Sequence, residues 1–295
     1  MNRNPETTVV ITCFNYGHFL EGCLGSVLEQ TYKDFEIIVI DDGSTDNTPQ
    51  VMDRFSALPN LRYVRQENAG QARAKNRGIE SARGGFIAFL DADDRWCPEK
   101  LEKQMACFKR NEVGVVYCRA KYLDGDNVEF PYEMTGPYLQ PRRGKVTEWL
   151  VFDNFVQFSS SIVRKACFEK FGKFDETLKM GIDWDLWLRI STGYEFDYVD
   201  ERLFFYRIGH SGQMSRNVEV RMQCSDRIME SFFEKFPGAV SPQVIKKAYY
   251  LTFCNRGSYF SSIDRKKSYG FFLQAIRKMP CETHAYKGIV KNLLG

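Results

Sequence analysis

An α/β fold on a mostly parallel, helix-flanked sheet is what this chain predicts, and three observations predict it. Short apolar runs recur through its first half, near residues 8–13, 35–40, 61–65 and 86–90, with helix-like stretches between them. Strictly alternating β and α units imply right-handed crossovers, and therefore parallel neighbours. Phe86-Ile87-Ala88-Phe89-Leu90 is apolar throughout and runs directly into Asp91-Ala92-Asp93-Asp94. A strand covered by helices on both faces has that first property.

The elements follow in order. Residues 8–13 read as the first buried strand, and 18–30 as a helix. Residues 35–40 form the second strand, and 41–46 make a turn ending in a helix cap at Asp46. A helix then runs toward Leu58. Residues 61–65 are the third strand, 71–83 the third helix and 86–90 the fourth strand. A helix over 98–110 and a strand over 114–118 come next. Residues 124–143 mix Gly, Pro, Tyr and charge, which suits an irregular substrate-facing loop. Regularity returns at 158–163, in a helix starting near Ile182 and in apolar strands around 196–208. From Asn217 onward the pattern is helical, broken at Phe236-Pro237-Gly238. These boundaries divide the chain into a part over about 1–118 with the order of a nucleotide-binding half-domain, a less regular part over about 119–216, and a helical region over 217–295.

Composition narrows the function classes. Hydrophobic content of 43% and aromatic content of 15% leave ample material for a core. No stretch approaches the ~20 apolar residues of a membrane span. The polar start, Met1 to Thr8, runs into a strand and does not read as a secretory signal. Nine cysteines, an odd number without a CxxC pair, fit reduced thiols in a cytosolic setting better than a disulfide framework or zinc site. The net charge of +3 is unevenly spread: residues 256–295 hold eight basic and two acidic side chains, +6, which leaves −3 for the rest. An acidic body argues against nucleic acid as its ligand, and the basic tail fits an anionic surface. Tyr259, Phe260, Tyr269, Phe271, Phe272 and Tyr286 interleave with those charges. The tail reads either as helices lying on the inner face of a membrane or as an ordinary helical subdomain with lysines in water.

Open α/β sheets bind ligands beyond the carboxyl ends of their strands. Here Asp91, Asp93 and Asp94 stand at such an end, and mutual repulsion calls for a neutralising cation or solvent. Oxygen clusters suit Mg²⁺ or Mn²⁺ shared with a phosphorylated ligand; a solvated acidic loop is the plain alternative. No G-x-G-x-x-G follows the first strand, so the dinucleotide fingerprint is missing. Asp41 and Asp42 end the second strand. A carboxylate there can accept from the ring N–H of uracil, thymine or guanine, which adenine lacks, or serve as a turn acid. The turn at Asn68-Ala69-Gly70 leads into a helix start with free N–H groups, a natural anion site. Lys75 and Arg73 add positive charge, although Arg73 fits a solvated helix face equally well. Ile182, Leu186 and Ile190 form a buried helical stripe. Asp185 and Arg189 explain each other as a surface i, i+4 pair. Asp183 has no such partner, which leaves a catalytic acid or a helix-dipole partner.

Taken in order, Val9-Val10-Ile11-Thr12-Cys13-Phe14-Asn15, Val39-Ile40-Asp41-Asp42-Gly43-Ser44-Thr45-Asp46, Asn68-Ala69-Gly70-Gln71-Ala72-Arg73-Ala74-Lys75-Asn76 and Asp91-Ala92-Asp93-Asp94 resemble the successive motifs of family 2 glycosyltransferases with the GT-A fold. Gly181-Ile182-Asp183-Trp184-Asp185-Leu186-Trp187-Leu188-Arg189 and Tyr206-Arg207-Ile208-Gly209-His210 resemble that family's acceptor-side motifs. The resemblance spans about 7–215. It implies a metal-dependent transfer, with inversion, from a nucleoside-diphosphate sugar to a glycan or lipid-linked hydroxyl, in cell-surface polysaccharide synthesis. It assigns donor contacts to Thr12, Phe14, Asn15, Asp42, Lys75, Asn76, Asp91 and Ala92, with Asp42 reading a uridine, thymidine or guanosine base. The D-x-D motif gives Asp93 to direct metal coordination and Asp91 to the ribose or metal shell, with Asp94 as helper or cap. Asp183 becomes the base that deprotonates the acceptor, with Trp184 and Asp185 on the acceptor side. His210 falls in a loop that closes over diphosphate or metal, against a purely structural histidine. Trp149, Trp184 and Trp187 suit either a sugar platform or a core.

Three departures from the family pattern stand out. Thr12 occupies a position often held by Pro, Phe14 one usually held by Tyr, and Ile182 replaces a frequent Glu beside the base. Two other readings compete: a sugar-nucleotide nucleotidyltransferase, which should carry a Gly- and Arg-rich loop where Phe14-Asn15-Tyr16-Gly17 stands, and a catalytically inactive nucleotide-sugar binding module.

Overall fold

A computed structural model describes residues 4–210 and 217–294. Its centre is a mixed sheet of nine strands among the described residues, ordered β3-β2-β1-β4-β8-β6-β9-β5, with β7 paired to β6. The first four are β1 (Thr7–Cys13), β2 (Phe35–Asp41), β3 (Leu61–Arg65) and β4 (Phe86–Asp91), and they run parallel. Register matters most here. Cys13 pairs with Asp41 and Thr12 with Asp91, so the polar ends of β1, β2 and β4 fall on one edge of the sheet. Helices α1 (Gly17–Leu28), α2 (Thr48–Asp53) and α3 (Gln71–Ser81) connect these strands.

Neighbouring residues on a strand enter opposite cores, as the period of two requires. Val10, Ile87 and Phe89 pack with Ile79, Trp187 and Phe196 on one face, while Val9, Ile11, Ala88 and Leu90 pack with Leu20, Leu24 and Trp96 on the other. Helix α3 lies very close to β1. A Cβ on Gly78 would come within 2.3 Å of a methyl of Val10, so only glycine permits that approach.

Beyond the acidic turn come β5 (Arg95–Trp96), α4 (Lys100–Met105), β6 (Val113–Leu123), β7 (Glu129–Phe130) and α5 (Thr147–Leu150). A 3₁₀ turn at Phe158–Ser160 leads into β8 (Ile162–Arg164), then α6 (Lys165–Phe171), α7 (Ile182–Ser191) and β9 (Glu195–Arg207). Strand β8 inserts antiparallel between β4 and β6, because a long loop rather than a helical crossover delivers it. The expected strands around 196–208 are one bulged strand, β9, running parallel to β6. Residues 158–163, read as regular structure, are that 3₁₀ turn and the start of β8. The second helix stops at Asp53, short of Leu58.

Helix α8 (Val218–Lys235) adds Ile228, Met229 and Phe232 to the first core. Helices α9 (Pro242–Phe260), α10 (Arg265–Lys278) and α11 (Thr283–Leu294) close a small core around Tyr250, Cys254, Phe272 and Ala275. Asn217, Ser241 and Asp264 cap α8, α9 and α10 through their side chains. Arg256 is buried: Asp226 holds its guanidinium with two contacts of 2.8 Å, and the Met222 carbonyl and Ser225 hydroxyl take the rest. That cation is structural. No described helix is long and apolar enough to cross a membrane.

Candidate active site

The carboxyl edge of the sheet gathers the acids that the sequence singles out. Asp91, at the end of β4, accepts from Lys75 Nζ at 2.6 Å and from Thr12 Oγ1 at 3.2 Å. Lys75 rises from α3 with its side chain only 4% exposed. Its ammonium also donates to Thr12 Oγ1 at 3.2 Å and stands 4.1 Å above the Phe158 ring. A buried ammonium is stable only when paired, so this contact ties β1, α3, β4 and the 3₁₀ turn together. Ser159 Oγ completes the tie, accepting from the Asp91 amide at 3.1 Å.

Asp93 and Asp94 are held from the other side. Asp93 Oδ2 lies 3.0 Å from His210 Nε2, and the His210 ring sits edge-on to Tyr16 and Phe19 at 5.5 and 5.6 Å. Asp94 is buried and accepts from the Arg207 amide at 2.9 Å. Burial, reinforced by the charge of Asp93, lifts its carboxyl well above the usual carboxylate range. Arg207 is the hub of this side. It donates to the Asp93 carbonyl at 2.9 Å, the Asp124 carbonyl at 2.8 Å and Asn127 Oδ1 at 2.6 Å, and lies 4.3 Å over Phe19. The sequence placed Arg207 in a motif without a role; three carbonyl-type acceptors from two distant segments give it one. The remainder of the expected closing loop, 211–215, lies outside the described residues.

At the end of β2 the two acids are already occupied. Asp41 accepts from the Ser44 amide at 2.8 Å and the Tyr63 hydroxyl at 2.5 Å. Asp42 accepts from Gln66 Nε2 at 2.7 Å, the Ala69 amide at 2.9 Å and the Gly70 amide at 2.8 Å. Two of the N–H groups expected to be free for an anion at the entrance to α3 are therefore spent on Asp42. Asn15, with φ of 58°, links the end of β1 to the same region by accepting from the Thr45 amide at 2.8 Å. Asp46 accepts from the Gly17 and Thr48 amides, at 2.9 and 3.0 Å, as the cap reading expected. Phe14 is 45% exposed, and Ala92 is buried. Asn76 is turned elsewhere: its amide brackets the Phe174 backbone at 3.0 and 2.9 Å and donates to Glu176 Oε1 at 2.9 Å.

Asp183 opens α7 and is half-buried. Asn154 Nδ2 donates to its Oδ2 at 2.9 Å. Burial raises its carboxyl above the ordinary value of 3.8, against the opposing pull of the Trp184 amide, Asn154 and the Lys75 charge. Asn154 is absent from every sequence motif, because a contact across 29 residues leaves no local spacing signal. Asp185 and Arg189 do pair, at 2.7 Å, but the surface position expected for them is wrong. Both side chains are nearly buried, and Arg189 also donates to the carbonyls of Phe171 and Lys173. Trp187 is a core residue donating to the Val156 carbonyl at 3.2 Å, and Trp184 donates to the Leu150 carbonyl at 2.7 Å. Trp149 is partly exposed beneath the Arg142 guanidinium at 3.4 Å.

Residues 8–171 match the family model described as glycosyl transferase family 2. The chain belongs to that family. An uncharacterized glycosyltransferase of Nostoc sp., alr2836, is 31% identical over 225 residues, which cover 71% of this chain and 67% of the relative. Among solved structures, residues 1–349 of S. aureus TarS in complex with UDP-GlcNAc superpose with a TM-score of 0.72 at 17% identity, covering 97% of this chain and 89% of that one. The mannosyltransferase PcManGT of Pyrobaculum calidifontis, in complex with GDP-Man and Mn²⁺, gives 0.60 at 18% identity, covering 99% and 88%. The architecture is thus GT-A, with added C-terminal helices, and the protein is a glycosyltransferase.

Within this glycosyltransferase, the donor set at the acidic edge suits one arrangement of a divalent cation better than another. No three His, Cys, Asp or Glu side chains among the described residues form a cage, and Asp91 is engaged by Lys75. Asp93 and His210, one oxygen and one nitrogen ligand side by side, fit a cation that takes its other ligands from a phosphorylated substrate.

The Arg207 hub carries a stability prediction. Arg207→Lys keeps the charge but cannot reach Asp93, Asp124 and Asn127 together. Urea unfolding of this variant should show a loss on the order of 3 kcal/mol; an unchanged midpoint would show that the hub is dispensable.

Proposed function

We propose that this glycosyltransferase moves a sugar, with inversion, from a uridine, thymidine or guanosine diphosphate donor to a hydroxyl of a glycan or lipid-linked acceptor. The observation that carries this reading is Asp183: a carboxylate in the first turn of α7 that, unlike Asp185, is not tied to an arginine, with one oxygen steadied by Asn154 and its proton affinity raised by burial. A general base gains from a carboxyl of this kind, more basic than a free one. A single displacement requires one base and no protein nucleophile. The acceptor hydroxyl gives its proton to Asp183 as the hydroxyl oxygen attacks the anomeric carbon, and the nucleoside diphosphate leaves.

Negative charge grows on the departing diphosphate. Lys75 is the buried cation nearest the donor-side acids, and its ammonium is held in place before the ligand arrives. Asp93 and His210 would hold Mg²⁺ or Mn²⁺, which supplies Lewis-acid stabilisation of the same charge. Asp42 keeps unused acceptor capacity, since a carboxylate offers about four lone-pair sites and three donors reach it here. Thr12, Phe14 and Asn15 at the end of β1 complete the donor side. The related structures, one in complex with UDP-GlcNAc and the other with GDP-Man and Mn²⁺, support this donor class.

The helical tail supports a peripheral membrane contact from the cytosolic side, as suits a lipid-linked acceptor in cell-surface polysaccharide synthesis. Tyr259, Ile263, Leu273, Tyr286, Val290 and Leu293 are exposed there, while Phe260 and Phe272 pack inward. Exposed Arg265, Lys266 and Lys267 stand at the start of α10. Exposed apolar and basic side chains on one helical region suit an anionic bilayer, with about 1 kcal/mol per Lys or Arg.

Asp183→Asn should lower transfer by ~10²-fold or more while nucleotide binding persists. The acid limb of the parent pH–rate profile should lie above 3.8, because protonation of Asp183 removes the base. Asn154 donates to the ionised form, so Asn154→Ala raises this proton affinity further and should move the limb to higher pH. A limb that does not move would remove Asn154 from this role. Full activity of Asp93→Ala in chelator would overturn the metal assignment, and tighter binding of adenosine than of uridine, thymidine and guanosine diphosphates would overturn the role of Asp42. Cosedimentation with anionic but not neutral vesicles should be lost when Arg265, Lys266 and Lys267 are all changed to Glu.

A further inference from the structure

A concavity opens where the irregular loop after β7 meets the segment that follows Asn154. Between β6, the loop 132–141 and residues 155–157 lies a shallow, solvent-open cleft. Its wall is aromatic. Tyr122 and Phe155 are buried, and Tyr132 stands at the rim, 45% exposed, with its ring edge-on to Tyr122 at 4.7 Å. Gln157 is half-buried and donates to the Tyr122 hydroxyl at 3.2 Å, which places an amide and a phenol together on the lining. The charged side chains of the cleft are each neutralised. Glu133 pairs with Arg202 at 2.8 Å, and Arg119 pairs with Asp200.

The position of the cleft is as informative as its lining. Phe155 and Gln157 follow Asn154 directly, and Asn154 holds Asp183. Ser159, two residues later, holds the Asp91 amide. One short segment therefore contributes to the cleft, steadies the base and anchors the donor-side acid. A molecule seated in the cleft rests against the segment that sets the geometry of both.

We propose that this cleft binds a neutral sugar segment of the acceptor, beyond the residue whose hydroxyl reacts, an inference that rests on the glycosyl-transfer reading and names its acceptor class. The exposed ring of Tyr132 covers the C–H surface of a pyranose, and the amide and phenol satisfy its hydroxyls. Paired charges give no unopposed cation to an anionic polymer and no unopposed anion to a basic one.

Binding to the full chain tests this. Saturation-transfer NMR titrations would use the hexasaccharides of cellulose, amylose and chitin as neutral probes, with hexagalacturonate as the anionic one. At least one neutral probe should bind in preference to the anionic one. Tyr132→Ala should weaken that binding about tenfold, and Tyr132→Phe should keep it. Gln157→Ala, a second disruption, should also weaken it. Uridine diphosphate affinity should be the same in all variants, which also reports that they are folded. Binding of no neutral probe, preference for hexagalacturonate, or indifference to both Tyr132→Ala and Gln157→Ala would overturn the assignment. A parent chain that binds neutral probes through Tyr132 yet turns over no nucleotide-sugar would instead remove the transferase reading and leave the sugar cleft standing.

Discussion

Everything at the site depends on how a cluster of carboxylates is kept at one edge of a sheet. Asp91, Asp93 and Asp94 lie within four residues, and Asp94 is fully enclosed. Two unit charges about 4 Å apart repel by roughly 4 kcal/mol at an effective dielectric of 20, so such a turn cannot fold unaided. Relief comes from three separate elements. Lys75 of α3 reaches Asp91, Arg207 of β9 takes the backbone and neighbours of Asp93 and Asp94, and His210 contacts Asp93. Asp94 gains further relief by holding its proton more tightly. Helix α3 and the end of β9 are therefore tied to β4 and the turn after it by electrostatics as well as by packing.

The same economy governs the segment leading into β8. Residues 153–160 contain no long regular element, yet Asn154 meets Asp183, Phe158 lies under Lys75, and Ser159 meets Asp91. The Ser159 carbonyl also accepts from the Trp96 indole at 2.8 Å. Irregular backbone carries these contacts because each residue can aim at a different neighbour, which a helix or strand of fixed period cannot do.

How much of this the sequence carries follows from the range of each interaction. Strands β1, β2 and β4 were legible because double-sided burial leaves an uninterrupted apolar run, and their polar ends marked the edge of the sheet. The spacing of Asp185 and Arg189 identified a true pair, but an i, i+4 rule says nothing about what covers it. Burial depends on α6 and the Phe171 and Lys173 carbonyls, far away in sequence. Strand β8 has too few residues to announce itself, and β5 has only two. Asn154 and Ser159 are ordinary loop residues until tertiary structure brings an acid to each. Asn76, which looked like a donor contact inside its motif, is bound to the Phe174–Glu176 stretch, and no local pattern distinguishes these uses.

Asn76 also ties the two sides of the crevice together. Helix α3 begins against Asp42, places Lys75 on Asp91, and through Asn76 and Gln71 grips residues 174–179, which lead straight into α7. Asp183 is thus positioned from the donor-side helix as well as from Asn154. The energetics run the same way. Burial raises the proton affinity of Asp183, and the Trp184 amide, Asn154 and, to a smaller extent, the ammonium of Lys75 oppose that rise. A single cation therefore neutralises the donor-side acid and also bears on the carboxyl at the start of α7. For that to work the lysine must be buried and rigid, which is why an aromatic ring, a threonine hydroxyl and a carboxylate all converge on one ammonium group.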